Sequence, residues 1–238
     1  MYYQLFKYVL LGPGLNIIYH PWAEGLENIP ERGPAILASN HLSFADSIFL
    51  PLVMKRKLVF LGKAEYFSGK GVKGYATRAF MEGVGTIPVH RGGGKASEAS
   101  LRTGLQVLAN GELLGIYPEG TRSPDARLFR GKTGVARLAI ESGVPVIPVA
   151  MIDTHIAQPI GKKVPNLHQT GVRIGEPLDF SDYGGRQEDR DALREVTDTI
   201  MAAIQDLSGQ EYVDRDAAQF KREADRESKG SWEGEMGE

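Results

Sequence analysis

The sequence predicts an α/β protein: a central mixed, mostly parallel sheet flanked by helices. Short β-rich runs alternate with helical periodicities, and alternation of that kind builds a sheet covered by its own crossover helices. The 238 residues, 42% of them hydrophobic, suffice for one sizeable core and one principal domain. The polar motifs, finally, fall directly after the strand-like runs, where loops of α/β folds gather.

Taken in order, Ala35–Asn40, Leu58–Lys63, Thr86–Val89, Leu113–Tyr117 and Val144–Ala150 read as strands, and Val172–Ile174 adds a further one. Helical patterns occupy 95–109 and 131–142, the second ending at Gly143, a residue suited to a left-handed helix stop. Leu193, Val196, Ile200, Ala203 and Leu207 recur at three- and four-residue steps and predict an amphipathic helix packed across the domain. There is no internal repeat.

The ends differ from this middle. Met1 to Ile18 is aromatic and aliphatic with Lys7 as its only charge, but Gly12-Pro13-Gly14 interrupts it short of the ~20 residues a spanning helix requires. It has neither a basic leader nor a small-residue cleavage site. A short helix lying in a membrane interface and an ordinary helix docked on the core both fit it. From Lys221 onward there are ten charges, three glycines and only Ala224, Trp232 and Met236 as apolar residues, which predicts disorder. The expected organisation is an N-terminal membrane-associating segment over 1–24, a catalytic domain over 25–213 and a charged tail over 214–238.

Charge and cysteine content restrict the chemistry. Residues 55–137 hold fifteen Lys/Arg against six Asp/Glu in a chain of net charge −2, so the chain is electrically polarised. That block suits phosphate-bearing substrates or an anionic membrane, and a merely solvated surface is the bland alternative. The chain has no cysteine, which excludes disulfides, thiolate metal sites and a cysteine acyl-enzyme.

Two constellations carry the chemistry. In Asn40-His41-Leu42-Ser43-Phe44-Ala45-Asp46, His41 and Asp46 would point ~140° apart on a continuous helix, so they meet only across a strand-to-helix turn. Ser43 is the expected N-cap of that turn. Folded back, Asp46 can accept the Nδ1 proton of His41 and leave Nε2 as a general base. A capping box through Ser43 and Asp46, or a satisfied core histidine, remains open for this motif alone. In Tyr117-Pro118-Glu119-Gly120-Thr121-Arg122-Ser123, Arg122 can grip a phosphate, Gly120 permits close backbone approach and Glu119 can hold a polyol hydroxyl. Gly85-Thr86-Ile87-Pro88-Val89-His90-Arg91 again puts a basic residue after a strand, and Val144–Ala150 forms a fourth, apolar block.

These four blocks in this order resemble the glycerolipid acyltransferase family, and specifically its bacterial 1-acyl-glycerol-3-phosphate acyltransferases, from about Tyr2 to Val213. The resemblance implies that His41 and Asp46 are catalytic. It further implies that Lys63, Arg91, Glu119, Gly120, Thr121 and Arg122 bind substrate. Pro88 stands where the family often has Phe. By the same resemblance the acyl donor is acyl-CoA or acyl carrier protein, the acceptor is a lysophosphatidate-like lipid, and no cofactor, metal or nucleic acid is expected. The implied place is the cytoplasmic face of the cell membrane, peripheral or monotopic. Two competitors are a metallohydrolase in which His41, Asp46 and Glu119 hold a divalent ion, and a non-catalytic lipid-binding module.

Overall fold

The computed structural model describes residues 2–10, 12–89, 94–162, 164–224 and 226. It opens with α1 (Tyr2–Leu5), a π-helical turn (Phe6–Leu10) and α2 (Gly12–Tyr19). Gly12-Pro13-Gly14 therefore starts a helix as well as ending one, because proline in a first turn has no helical N–H to lose. A Cβ at Gly12 would fall 1.7 Å from the Lys7 carbonyl oxygen, so this junction requires glycine.

The remaining elements are β1 (Trp22–Glu24), β2 (Ala35–Ser39), α3 (Asp46–Val53), β3 (Leu58–Lys63), α4 (Gly71–Gly83), β4 (Thr86–Val89), α5 (Lys95–Ala109), β5 (Leu113–Ile116), β6 (Leu128–Phe129), α6 (Gly134–Ser142), β7 (Val146–Ile152), α7 (Thr154–Ala157), β8 (Gly171–Ile174), α8 (Arg190–Ser208) and β9 (Tyr212–Val213). Seven strands form one sheet in the order β1-β8-β7-β2-β5-β3-β4. Every pairing in it is parallel except β7 with β8. The mixed, mostly parallel sheet expected from the alternation is thus present, and β6 pairs with β9 in a small second sheet.

β2 lies at the middle and is fully buried from end to end, as a near-continuous apolar run covered on both faces should be. Ile36 and Ala38 pack on one face with Leu108 of α5, Leu138 of α6 and Val196 and Ile200 of α8. Ala35 and Leu37 face the other layer, built from Phe49 and Leu50 of α3 and Tyr19 of α2. The buried stripe of α8 is Ala192, Val196, Thr197, Ile200, Met201 and Ile204, rotated slightly from the stripe read by spacing. Asp189 caps that helix by accepting the N–H groups of Asp191 and Ala192, and Gly209 ends it in the left-handed conformation.

The Lys7 ammonium turns inward and donates to the Met54 carbonyl at the end of α3, and burial lowers its pKa to about 8. Tyr3 and Leu15 line the same junction, so the segment is docked, yet Tyr8, Val9, Leu10, Ile17 and Ile18 stay exposed on its outside. The tail assigned to 214–238 is ordered in its first part. Residues 217–224 are helical, Ala217 is buried, and Phe220 packs on Phe129 with ring centroids 5.2 Å apart. Two apolar side chains within a charged composition are enough to hold that turn to the core. The disorder expected beyond residue 226 lies outside the described residues.

β5 offers a check on packing. A Cβ on Gly115 would stand 2.4 Å from the Phe60 ring of β3. Gly115→Ala is therefore expected to lower stability by about 1–3 kcal/mol through overpacking. The measurement is a lowered urea midpoint at unchanged slope.

Candidate active site

Parallel β2 and β5 pair Ala38 with Ile116, so they end side by side, and the two polar motifs leave the sheet from adjacent strand ends. β3 ends next to β5 at Lys63. This is the carboxyl edge where parallel sheets collect ligand-binding loops.

The turn after β2 is built around one carboxylate. Asp46 is fully buried, and its Oδ2 accepts three hydrogen bonds: from the N–H groups of Leu42 at 2.7 Å and Ser43 at 2.8 Å, and from His41 Nδ1 at 2.8 Å. The orienting reading is thus realised, and the same oxygen also holds the Ser43 N–H, but no capping box forms, since the Ser43 hydroxyl does not bond the Asp46 N–H. Ser43 is not the helix cap, however. The cap position is Ala45, while the Ser43 hydroxyl accepts the Ala45 N–H at 3.2 Å and donates to the Gln158 carbonyl at 2.7 Å.

With Nδ1 held, Nε2 is the imidazole nitrogen left for proton transfer, and the His41 side chain is 17% exposed on a cleft of 470 Å³. Its ring stacks on Tyr117 with centroids 3.8 Å apart and planes 10° apart. Tyr117 stacks in turn on Phe60 and shares a hydrogen bond with Ser47 at 3.0 Å. Burial, and then the nearby Asp46 charge, push the Tyr117 phenol well above its ordinary range, so it stays neutral.

The backbone of His41 is clamped as firmly as its ring. Its N–H donates to Glu119 Oε1 at 3.0 Å, and its carbonyl accepts the Ser123 N–H at 2.7 Å. Glu119 Oε2 accepts the Phe129 N–H at 3.0 Å. The buried Glu119 carboxyl is therefore engaged with the protein's own amides, and this geometry makes it a brace under His41 where the sequence suggested contact with a substrate hydroxyl. Burial raises its pKa to about 8, against the opposing effect of those two amides.

Asn40 fixes the strand end beneath. Its Oδ1 accepts the Met151 N–H at 2.7 Å, and its Nδ2 donates to the Met151 carbonyl at 3.1 Å and to Gln210 Oε1 at 2.7 Å. The side chain thus continues the ladder from β2 to β7 after β2 has turned away.

Of the residues expected to bind substrate, Lys63, Gly120, Thr121 and Arg122 line the cleft with His41. Gly120 adopts φ +72°, a conformation that glycine accepts without strain. Lys63 sits opposite Glu65 at 3.2 Å in an exposed and therefore weak pair. Arg122 makes no ion pair or hydrogen bond among the described residues, whereas Lys132, which spacing did not single out, adds a further ammonium to the cleft wall. Arg91 lies outside the described residues. Phe44, Ile48, Phe80 and Val84 make another wall apolar. The cleft thus joins a base, cations and a hydrocarbon-compatible surface. The divalent-ion triad of His41, Asp46 and Glu119 is disfavoured, because no group of three such side chains among the described residues is placed to hold a metal ion together.

The acyltransferase family model matches residues 21–152, more than half of the chain and all of this edge from Asn40 to Arg122. The chain belongs to the acyltransferase family. Among its relatives, the 1-acyl-sn-glycerol-3-phosphate acyltransferase of Bacillus subtilis is 26% identical over 183 residues, which is 76% of this chain and 84% of that protein. The chloroplastic 1-acyl-sn-glycerol-3-phosphate acyltransferase LPAT1 of Arabidopsis thaliana is 33% identical over 157 residues, 65% of this chain. That match takes in 42% of the plant protein, and the match to a second chloroplastic relative, from Brassica napus, takes in 46%; the chain spans less than half the length of either. The crystal structure of the 1-acyl-sn-glycerophosphate acyltransferase PlsC from Thermotoga maritima superposes with a TM-score of 0.59 at 26% identity, covering 83% of this chain and 80% of that one.

For this acyltransferase family member, the Glu119 brace has a pH signature. The folded protein keeps the Glu119 proton between the ordinary value of 4.5 and about 8, where an unfolded chain has released it. Raising pH through that window therefore removes stability. Thermal midpoints measured from pH 5 to pH 8 should decline, and Glu119→Gln should flatten that part of the decline. An identical slope in the variant would show that Glu119 is ionised throughout.

Proposed function

We propose that this protein transfers a fatty acyl group from a thioester, acyl-CoA or acyl carrier protein, to the sn-2 hydroxyl of 1-acyl-glycerol 3-phosphate, forming phosphatidic acid for phospholipid synthesis. The observation that carries this reading is the His41–Asp46 pair at 2.8 Å, opening on a cleft with cations at the sheet edge and an apolar wall. The names of the relatives support the choice of acceptor.

His41 Nε2 takes the proton of the acceptor hydroxyl as that oxygen attacks the thioester carbonyl carbon. Asp46 stabilises the imidazolium so formed and keeps the ring in the tautomer that presents Nε2. Collapse of the tetrahedral intermediate breaks the C–S bond. The departing thiolate takes the proton from His41, which leaves an ester, a free thiol and a neutral imidazole. Arg122, Lys63 and Arg91 are assigned to the acceptor phosphate, and the apolar wall to an acyl chain. Holding the two reactants together in this way removes several kcal/mol of barrier.

An amphiphilic acceptor stays in a bilayer, so the active edge must meet a lipid surface. No helix among the described residues is long and apolar enough to cross a membrane. A peripheral or monotopic attachment, on the cytoplasmic face where acyl thioesters are found, is accordingly part of the proposal. The exposed side of the N-terminal helices, with Leu10, Ile17 and Ile18, is its contact surface.

Thiol release on mixing acyl-CoA with lysophosphatidate tests the reaction, and a panel including glycerol 3-phosphate tests the acceptor. His41→Ala should abolish release with the fold intact, and Asp46→Asn should reduce turnover by a factor of about 10²–10⁴ by misorienting the imidazole. Wild-type turnover in a folded His41→Ala protein would end the mechanism. Arg122→Lys keeps the charge but loses the planar fork, so it should weaken apparent acceptor affinity about tenfold or more with donor affinity little changed. Equal losses for both substrates would remove Arg122 from the phosphate site.

A further inference from the structure

The segment joining β7 to β8 carries a surface that the catalytic cleft does not use. Val164 is 76% exposed and Leu167 80%, with Ile156 and Ile160 each at 40%. Its described residues are held in place by hydrogen bonds. The Asn166 N–H donates to the Ala157 carbonyl and its Nδ2 to the Ile156 carbonyl, both at 2.7 Å, and Gln158 Nε2 donates to the Lys162 carbonyl at 2.7 Å. Water is a poor solvent for apolar side chains held out in this way, and large exposed apolar patches mark contact sites.

Two hydrogen bonds show where the loop belongs. The Ser43 hydroxyl donates to the Gln158 carbonyl at 2.7 Å, which ties the loop to the turn holding His41. Gln169 Nε2 donates to the His20 carbonyl at 2.8 Å, which ties its far end to the residue following α2, beside the exposed Ile17 and Ile18. Phe44, in the catalytic turn itself, is also exposed, at 39%. Exposed apolar side chains therefore occur on the N-terminal helices, in the catalytic turn and on the loop. The loop's charge is basic around the apolar tip: after Asp153, which faces His168, residues 154–170 contain Lys162 and Lys163 and no Asp or Glu.

We infer that the 156–167 loop is a second lipid-contacting element, which enters an anionic bilayer surface through Val164 and Leu167 while Lys162 meets the headgroups. Together with α2 it would give the protein a second point of attachment near the catalytic turn. A single point leaves the molecule free to tilt, whereas two points fix which edge faces the lipid. The inference rests on the proposed function for its purpose, since a bilayer-resident acceptor must be reached by His41.

The test uses the full chain and vesicles of phosphatidylcholine with phosphatidylglycerol. Leu167→Trp should shift to shorter emission wavelength on vesicle addition, relative to the parent chain, and be quenched by lipids brominated in the acyl chains. Val164→Ser with Leu167→Ser should weaken vesicle binding roughly tenfold, from the loss of apolar burial. The same double variant should slow acylation of vesicle-embedded acceptor and leave turnover of a short-chain soluble acceptor unchanged. The binding arms contain no acyl donor, so they stand even if the proposed transfer fails. An unshifted Leu167→Trp spectrum on vesicle-bound protein would overturn the loop inference alone. A shift that follows protein concentration without vesicles would overturn it in favour of contact between copies.

Discussion

Two buried carboxyl groups organise the sheet edge that carries His41, and both do so by collecting backbone hydrogen-bond donors. A chain turning sharply out of a central parallel strand leaves N–H groups without ladder partners, and unpaired amides at that depth cost about 1–3 kcal/mol each. Asp46 takes those of Leu42 and Ser43, and Glu119 those of His41 and Phe129. The same bonds that make the turn foldable fix the ring and the backbone of His41. Asp46 accepts from two amides as well as the imidazole, so it is held in place independently of His41. The direction of the His41 Nδ1 bond is thereby set by the fold before any substrate arrives.

The strand order explains why these groups converge. β2 and β5 are distant in sequence but adjacent in the sheet, so the ring of His41 comes to lie on Tyr117, and Ser123 reaches the His41 carbonyl. Asn40 performs the matching task on the β7 side, where its amide pairs with both backbone groups of Met151. The turn is thus sewn to both neighbouring strand ends. Rigidity of this kind suits a general base, whose proton transfer depends on position before it depends on acidity.

Much of this was legible in the sequence, and the limits have physical causes. β3 and β4 match their predicted spans, and β2 and β5 differ by one residue at the end, because a buried strand is a short apolar run between turn residues. α4 was not foreseen: Gly71, Gly74 and Gly83 weaken its intrinsic helical signal, and the helix is held by tertiary contacts, with Gly74 packed against the Gly69 backbone. The pairing of His41 with Asp46 could be read from spacing plus a turn, since both partners are local. The bracing role of Glu119, the stack with Tyr117 and the place of Lys132 could not. Each depends on which strands are neighbours, and spacing within one segment carries no information about that.

The arrangement also explains why the proposed transfer would pass directly from thioester to acceptor. A covalent acyl-enzyme needs a side-chain nucleophile within reach of the base. The chain has no cysteine, and the two serines flanking the catalytic turn have other bonds: Ser43 donates to the Gln158 carbonyl, and Ser47 is paired with Tyr117. Tyr117 is stacked flat on the imidazole and kept neutral by burial, which suits it as a platform and makes it a poor nucleophile. What the imidazole meets instead is an open cleft bordered by Lys63, Arg122 and Lys132. Among the described residues no hydroxyl is hydrogen-bonded to His41 Nε2, which suits a nucleophile supplied by the substrate, and cations along the same rim suit an acceptor that carries its hydroxyl close to a phosphate.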